Sequence, residues 1–306
     1  FTRAQLLFEP TDTMSFRLIG DYTWRKERCC AAVFVNDSMN ENIDGLLDPA
    51  QNNIIRVLRD LGQDITAFDD GFDRNVSVTP GRGYDGKTKD GGISLEGKFE
   101  LGAAELTSIT GYRSYRADQG GGLDYGTVDI LYRPDDGTSP RKFKTFSQEI
   151  RLNGTVFNDK LDWLVGGYYA NEDLTLKDQL RFGDQYGRFA TCRLVTGSAL
   201  SALYNPAAAG CLAARPAAFG AASPLIYAAI DRLDQMSDVG STGDTYKQNS
   251  RNWALFTHNI FHVTDTVDLT LGLRYTNERK KFSATFGNDN TACVAQQAAL
   301  GPFLAT

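Results

Sequence analysis

The 306-residue sequence predicts an all-β fold, an antiparallel up-and-down transmembrane β-barrel segment of about eight strands, with long extracellular loops that carry short helices. Three observations predict it. Apolar and polar residues alternate over unusually long stretches. Aromatic residues close the apolar face of those stretches at one end. The connections alternate between short and long.

The alternation is clearest in three stretches. Val267 to Glu278 reads VDLTLGLRYTNE, with Val267, Leu269, Leu271, Leu273 and Tyr275 on one face and Asp268, Thr270, Gly272, Arg274, Thr276 and Glu278 on the other. A period of two marks a strand with one apolar face. Phe16, Leu18, Gly20, Tyr22 and Trp24 oppose Arg17, Ile19, Asp21, Thr23 and Arg25 in the same way. Leu161, Trp163, Val165, Gly167 and Tyr169 oppose a less polar face of Asp162, Leu164, Gly166, Tyr168, Ala170 and Glu172. Such stretches exceed the mean strand of roughly 5–6 residues and match the ~9–11 residues of a tilted bilayer crossing. Trp24, Tyr169 and Tyr275 sit where an interfacial aromatic girdle belongs. The expected orientation follows: Leu269, Leu271, Leu273 and Tyr275 toward lipid, Asp268, Arg274 and Glu278 toward the lumen.

In chain order the strands fall at 1–8, 14–28, 91–101, 104–117, 143–153, 160–173, 248–262 and 266–282. The 104–117 stretch alternates poorly, since Leu106 and Tyr112 share a face that Ile109 does not. Turns near 9–13, 102–103, 154–159 and 263–265 are short, whereas 29–90, 118–142, 174–247 and 283–306 are long. Short turns on one side and long loops on the other belong to outer-membrane barrels. In the first loop Asp48 at N-cap and Pro49 at N1 open a helical spacing of Ile54, Ile55, Val57, Leu58 and Leu61 that Gly62 can stop. Ser223 and Pro224 open LIYAAIDRLDQM likewise. Structured loops of this length are usually functional.

Composition narrows the classes. With 18 Phe, 13 Tyr and 3 Trp the chain is too aromatic for disorder. No apolar run approaches the ~20 residues of a membrane helix. A net charge of -6 carries no basic footprint for nucleic acid.

The strand texts FSQEIRL (Phe146 to Leu152), WLVGGYY (Trp163 to Tyr169), LTSITGYR (Leu106 to Arg113) and LTLGLRYTNERK (Leu269 to Lys280) resemble barrel strands of TonB-dependent outer-membrane receptors, of the siderophore type found in Gram-negative bacteria. The resemblance covers 1–306 as barrel alone. It implies part of a barrel of about 22 strands with a plugged lumen, the plug itself absent from these residues. It implies a multi-pass protein of the cell outer membrane that takes up a scarce nutrient, with a ferric siderophore as the favoured substrate. The partners it implies are outer-membrane lipid, a small-molecule ligand, and the TonB energy-coupling protein acting through the plug. Neither enzymatic activity nor a resident cofactor is expected. The loops at 29–90, 118–142 and 174–247 are the expected ligand contacts. A passive porin-like channel, an outer-membrane enzyme barrel and a soluble β-sandwich are the rival readings.

Several motifs invite sharper chemistry. Gly81 to Thr88 matches the phosphate-binding pattern G-x-x-x-x-G-K-T through Gly81, Gly86, Lys87 and Thr88. That chemistry needs a helix to follow, but Ile93, Leu95, Gly97 and Phe99 follow at period two, so a glycine-rich loop before a strand is expected. His258 and His262, the two histidines, stand four apart in a strand-like stretch, about 13 Å and too far to share an ion. Asp69, Asp70 and Asp73, and Asp135 with Asp136, fit no alternating calcium loop and read as acidic turns. There is no G-x-S-x-G elbow. Cys192 and Cys211 lie 19 apart in one long loop and are expected to be bridged if that loop is extracellular. Partners for Cys29, Cys30 and Cys293 stay open. Because Phe1 and Thr306 would both lie on the long-loop side, the segment is expected to need further strands at each end, leaving its sheet open.

Overall fold

The structure, a computed structural model, describes residues 1–32, 53–63 and 76–304. The strands are β1 (Thr2–Thr11), β2 (Met14–Arg28), β3 (Asp85–Glu100), β4 (Ala104–Gln119), β5 (Gly121–Gly122), β6 (Leu131–Arg133), β7 (Arg141–Val156), β8 (Leu161–Asp178), β9 (Arg181–Phe182), β10 (Asp244–Thr264) and β11 (Val267–Thr285). The helices are α1 (Asn53–Asp60), α2 (Tyr186–Thr196), α3 (Ser223–Asp234) and α4 (Ala292–Leu304). Eight long strands make one antiparallel sheet in the order β1-β2-β3-β4-β7-β8-β10-β11, and β5, β6 and β9 make a small second sheet. β1 and β11 are the edges of the large sheet, so the barrel wall is open.

All eight expected wall strands are present, β2 with the expected bounds and most of the others longer. β3 begins at Asp85 rather than near 91, β7 starts two residues earlier, and β8, β10 and β11 each run three to five residues further toward the loops. Beyond the aromatic residues the alternation inverts, with Phe143, Leu174, Leu176, Tyr246 and Phe282 on the inner face and Lys144, Thr175, Lys247, Lys281 and Ser283 on the outer one, while the hydrogen-bonded ladder continues. The poor alternation of β4 does not break it. Ile109 lies on the polar face between Glu96 and Glu149. The turns β1–β2, β3–β4, β7–β8 and β10–β11 are short and share one end of the sheet. At the β3–β4 turn Gly102 takes φ +79°, a conformation open to glycine at little cost.

The register shows how the two faces are built. Leu271 stands opposite Asn259, and Leu273 opposite Thr257, on the face that also carries Leu255, Val165, Leu18 and Leu6. Asp268, Arg274 and Glu278 stand on the other. That polar face is laced by ion pairs. Arg17 meets Glu96 at 2.9 Å, and Arg113 sits between Asp21 at 3.0 Å and Asp90 at 2.7 Å. At the short-turn end His262 joins two hairpins through Asp268 (2.7 Å) and Asp162 (3.1 Å).

Aromatic residues line the apolar face at its loop end: Tyr22, Tyr112, Phe146, Tyr169, Trp253 and Tyr275. The line is oblique to the hydrogen bonds. Traced back across the rungs to β2, Tyr112 falls level with Gly20, Tyr169 with Leu18 and Tyr275 with Phe16. The line therefore slips about one residue per strand. With ~3.3 Å per residue and ~4.8 Å between strands this is a tilt of roughly 35°, within the range of closed barrels. A second aromatic row lies toward the turns, where Phe16 stacks on Phe8 at 6.4 Å and meets Phe99 edge-on at 5.5 Å. Tyr22 is six residues from Phe16, and Tyr169 six from Trp163, so the rows stand roughly 20 Å apart along the strands.

The long connections form a cap at the other end. Its core is apolar: Val57, Cys192, Val195, Leu200, Cys211, Leu212, Tyr227 and Ile230 are buried together. Cys192 and Cys211 are joined across it, their Cα atoms 5.2 Å apart. Cys29 is joined to its neighbour Cys30, and Cys293 is free and exposed. α1 ends at Asp60, as the stop at Gly62 implies, while Asp48 and Pro49 lie outside the described residues. α3 corrects the expected cap: Ser223 is its first residue, and its Oγ accepts the Phe219 N–H of the preceding turn.

Candidate ligand-binding site at the loop end of the sheet

The topology gathers the β2–β3, β4–β7 and β8–β10 connections over one end of the sheet. Among the described residues two polar clefts and one apolar cleft open there.

The first polar cleft is formed by the loops alone. It holds about 320 Å³ and is lined by Arg82, Tyr132, Arg133, Asp135, Arg181 and Asp238, among others. The Arg82 guanidinium lies 3.5 Å from the centre of the Tyr132 ring and forks onto Asp129 at 2.9 and 3.2 Å. Arg133 forks onto Asp178 at 2.6 and 3.1 Å. Arg181 pairs with Asp289 at 3.1 Å and Asp238 at 3.4 Å, and the Tyr132 hydroxyl donates to Asp238. Burial, then the Asp238 carboxylate, pushes the Tyr132 phenol up. The Asp178 carboxylate raises Arg133 despite burial. Each cation here is neutralised in place, so this cluster fastens β5, β6 and β9 to the wall rather than offering free charge.

The second polar cleft, of about 310 Å³, lies under the loops against the polar face of the sheet. Its floor is one rung: Arg25 opposite Thr88, Thr88 opposite Ala117, Ala117 opposite Arg141, Arg141 opposite Leu176. Thr88 and Ala117 are small, which leaves a groove between the two arginines. Three strand steps put the arginine backbones about 14 Å apart. Tyr115 lies one step below, with Phe143 opposite it. Arg133 and Ser139 come from above. Among the described residues Arg25 and Arg141 have no carboxylate partner within ion-pair distance. They are donors without an acceptor, set in a groove that a ligand can enter.

An apolar cleft of about 630 Å³ adjoins, lined by Cys29, Cys30, Val76, Val78, Pro80 and Tyr84. Burial, then Asp124, pushes the Tyr84 phenol up. Together the clefts suit a ligand with an anionic, oxygen-rich part and an apolar part.

Other sequence motifs fall elsewhere. Gly86, Lys87 and Thr88 are residues of β3, with no helix after them, so the phosphate-loop geometry is not formed. ATP is therefore expected to leave Lys87 open to acylation, and nucleotide protection of that lysine would contradict the register. His258 faces Leu164 and Gly272, and His262 its two aspartates. No group of three or more metal-ligating side chains occurs among the described residues. Asp136 accepts from the Thr138 N–H at 2.9 Å and its hydroxyl at 2.5 Å, an acidic turn, and the Thr138 hydroxyl holds its carboxyl below the usual range. Asp69 to Asp73 lie outside the described residues. Arg25 and Arg141 escaped the sequence reading because only the register puts residues 116 apart on one rung.

The fold is thus a stretch of up-and-down barrel wall with a structured loop cap. It is similar to solved siderophore-receptor structures. The ferric yersiniabactin uptake receptor FyuA from Yersinia pestis aligns over 94% of this chain at TM-score 0.54 and 12% identity. BauA, the ferric preacinetobactin receptor from Acinetobacter baumannii, aligns over 94% at TM-score 0.43 and 10% identity, and FpvAI, in its complex with pyocin S2, over 94% at 0.44 and 12%. The chain spans about a third of those structures: 32%, 35% and 32% of their lengths. At such identity the likeness to FyuA is one of fold. No protein-family model matches the sequence, and no curated protein matches it. No helix among the described residues is long and apolar enough to cross a membrane.

Proposed function

We propose that this chain is wall and loop cap of a TonB-dependent outer-membrane receptor, and that its substrate class is an anionic metal chelate, a ferric siderophore. The observation that carries the reading is the rung with Arg25 and Arg141 facing an open groove without carboxylate partners, beside an apolar cleft. Ferric chelates with carboxylate, catecholate or hydroxamate oxygens offer the acceptors those guanidiniums lack, and an organic backbone for the apolar side. The apolar face of the sheet, bounded by two aromatic rows, supports placement in a bilayer. TonB coupling would act through a plug, while the described residues hold wall and cap. The reading is of a receptor, not an enzyme.

Arg25→Gln together with Arg141→Gln is expected to weaken chelate binding by about 10- to 100-fold per arginine, the effect of one lost hydrogen bond to a charged group. Equilibrium titration with ferric siderophores measures it. Iron uptake in cells with and without TonB separates the receptor from a passive channel. Full uptake without TonB, or unchanged affinity in the double variant, would sink the proposal.

A further inference from the structure

The two cysteines that follow β2 stand where the clefts of the loop end meet. Cys29 and Cys30 are joined to each other, and both line the polar groove and the apolar cleft alike. The pair is thus the partition between the two. Cys29 ties that partition to the wall. Its N–H donates to the Tyr84 carbonyl at 3.2 Å, one step past the rung of Arg28 and Asp85. Its carbonyl accepts from the side-chain amide of Gln119, the last residue of β4, at 3.2 Å. Cys30 takes φ +75°, a conformation that costs a residue with a side chain, and the bridge to Cys29 restrains it there.

The two bridges seen among the described residues differ in access. Cys192 and Cys211 are wholly buried in the cap core. Cys29 is half-buried and Cys30 exposed. Exchange begins when a thiolate reaches a sulfur, so exposed bridges are labile and buried ones protected. The groove also favours one kind of reagent. Asp118 and Asp178 are held by Arg116 and Arg133 at 2.7 and 2.6 Å. Among the described residues that line the groove, this leaves Arg25, Arg141 and Lys177 against Glu27 as the charges without an ion-pair partner. Surplus cations concentrate an anionic thiol, and they favour the thiolate form of a sulfur near them.

We propose that the Cys29–Cys30 bridge is a redox-active exchange site, opened by an anionic low-molecular-weight thiol, that controls the hold of the groove on its ligand. The site rests on the ligand reading above and adds its regulation. A reagent thiolate attacks the exposed Cys30 sulfur. The bond between the two cysteine sulfurs breaks, a mixed disulfide forms on Cys30, and Cys29 leaves as a thiolate that takes a proton from water. A second reagent thiolate attacks the reagent sulfur of the mixed disulfide and releases Cys30, which is protonated in turn. Two cysteines are reduced, and two reagent thiols become one disulfide. Without the bridge the backbone of Cys29 and Cys30 is free to leave its turn, so the partition is no longer set. A ligand that spans both clefts must then order it on binding.

The test uses the protein with all its barrel strands, folded in phosphatidylcholine vesicles, with Cys293→Ser to remove the free thiol. Reduced glutathione is the reagent, and isotope-coded alkylation reads each bridge. Cys29 and Cys30 are expected to become alkylated at least about tenfold faster than Cys192 and Cys211. Amide exchange at Cys29 is expected to quicken on reduction while that of β8 stays unchanged. Affinity for ferric citrate or a ferric tris-catecholate is expected to fall about tenfold, the cost of ordering roughly one residue, and to return on reoxidation. Cys29→Ser with Cys30→Ser is expected to bind like the reduced protein and to ignore glutathione. Should that variant misfold, the reversible cycle of the unsubstituted pair still decides. Bridges that open together overturn the site, as does Cys29 exchange that reduction leaves unchanged. Measurable chelate affinity that is equal in both redox states overturns it too. If neither state binds either chelate, the ligand reading falls, and faster exchange at Cys29 alone upholds the redox site.

Discussion

Leu271→Arg is expected to destabilise the chain in a bilayer by about 2–4 kcal/mol, whereas Thr270→Arg one residue earlier is expected to cost little. The two sites share a strand, and both are exposed to solvent in the isolated chain. They differ in face alone: Leu271 stands on the apolar face opposite Asn259, and Thr270 on the polar face opposite Ile260. In water the two arginines would be equivalent. In lipid only one would have to leave hydrocarbon or drag water into it. Urea titration of tryptophan emission in vesicles, on the protein with all its barrel strands, measures the difference. Equal stability of the two variants would mean that the apolar face never meets lipid.

The second large effect is expected in the cap. Removing the Cys192–Cys211 link as Cys192→Ala with Cys211→Ala should cost about 3 kcal/mol by the chain-entropy argument for a link of separation 19. Both sulfurs sit in the apolar core with Val57, Val195 and Tyr227, so the lost packing adds to that. The loss should be local. Amides of α2 and α3 should exchange faster while those of β7 and β8 keep their protection, because the wall has its own ladder of hydrogen bonds. Alkylation of both thiols in the folded, unreduced chain would show that the link does not form. Exchange that quickens equally in wall and cap would show that the cap is not an independent unit.

The wall was legible in the sequence and the cap much less so, for a physical reason. A strand with one apolar face must repeat every two residues, and Val267 to Tyr275 writes that rule out in full. The cap has no long periodic element. α2 buries Gly187, Thr191 and Thr196 along with Cys192 and Val195 and leaves Leu194 exposed, a weak helical signal. β5 and β9 are two residues each, too short for any pattern. α3 was readable from Pro224 and its apolar spacing, although the role given to Ser223 was not. The candidate groove needed the register. Nothing near Arg25 in sequence points to Arg141; only the chain of oppositions through Thr88 and Ala117 brings them to one rung.

The oblique aromatic line gives the wall something like a reading frame. β2, β8 and β10 are pinned at two levels by their aromatic residues, and every wall strand to its neighbours by a fixed register, so length cannot change freely. Deleting one residue between Trp163 and Tyr169 would turn every later side chain of β8 to the wrong face. Deleting two would keep the faces but draw Tyr169 about 7 Å out of line with Phe146 and Trp253. Changes of length in the wall should therefore be rare and come in twos, compensated on the adjoining strand. The cap hangs from the loop ends of the strands and obeys no such frame, so it can grow or shrink by any number of residues. A lineage of this protein could remodel what it binds while the spacing of its wall stays fixed.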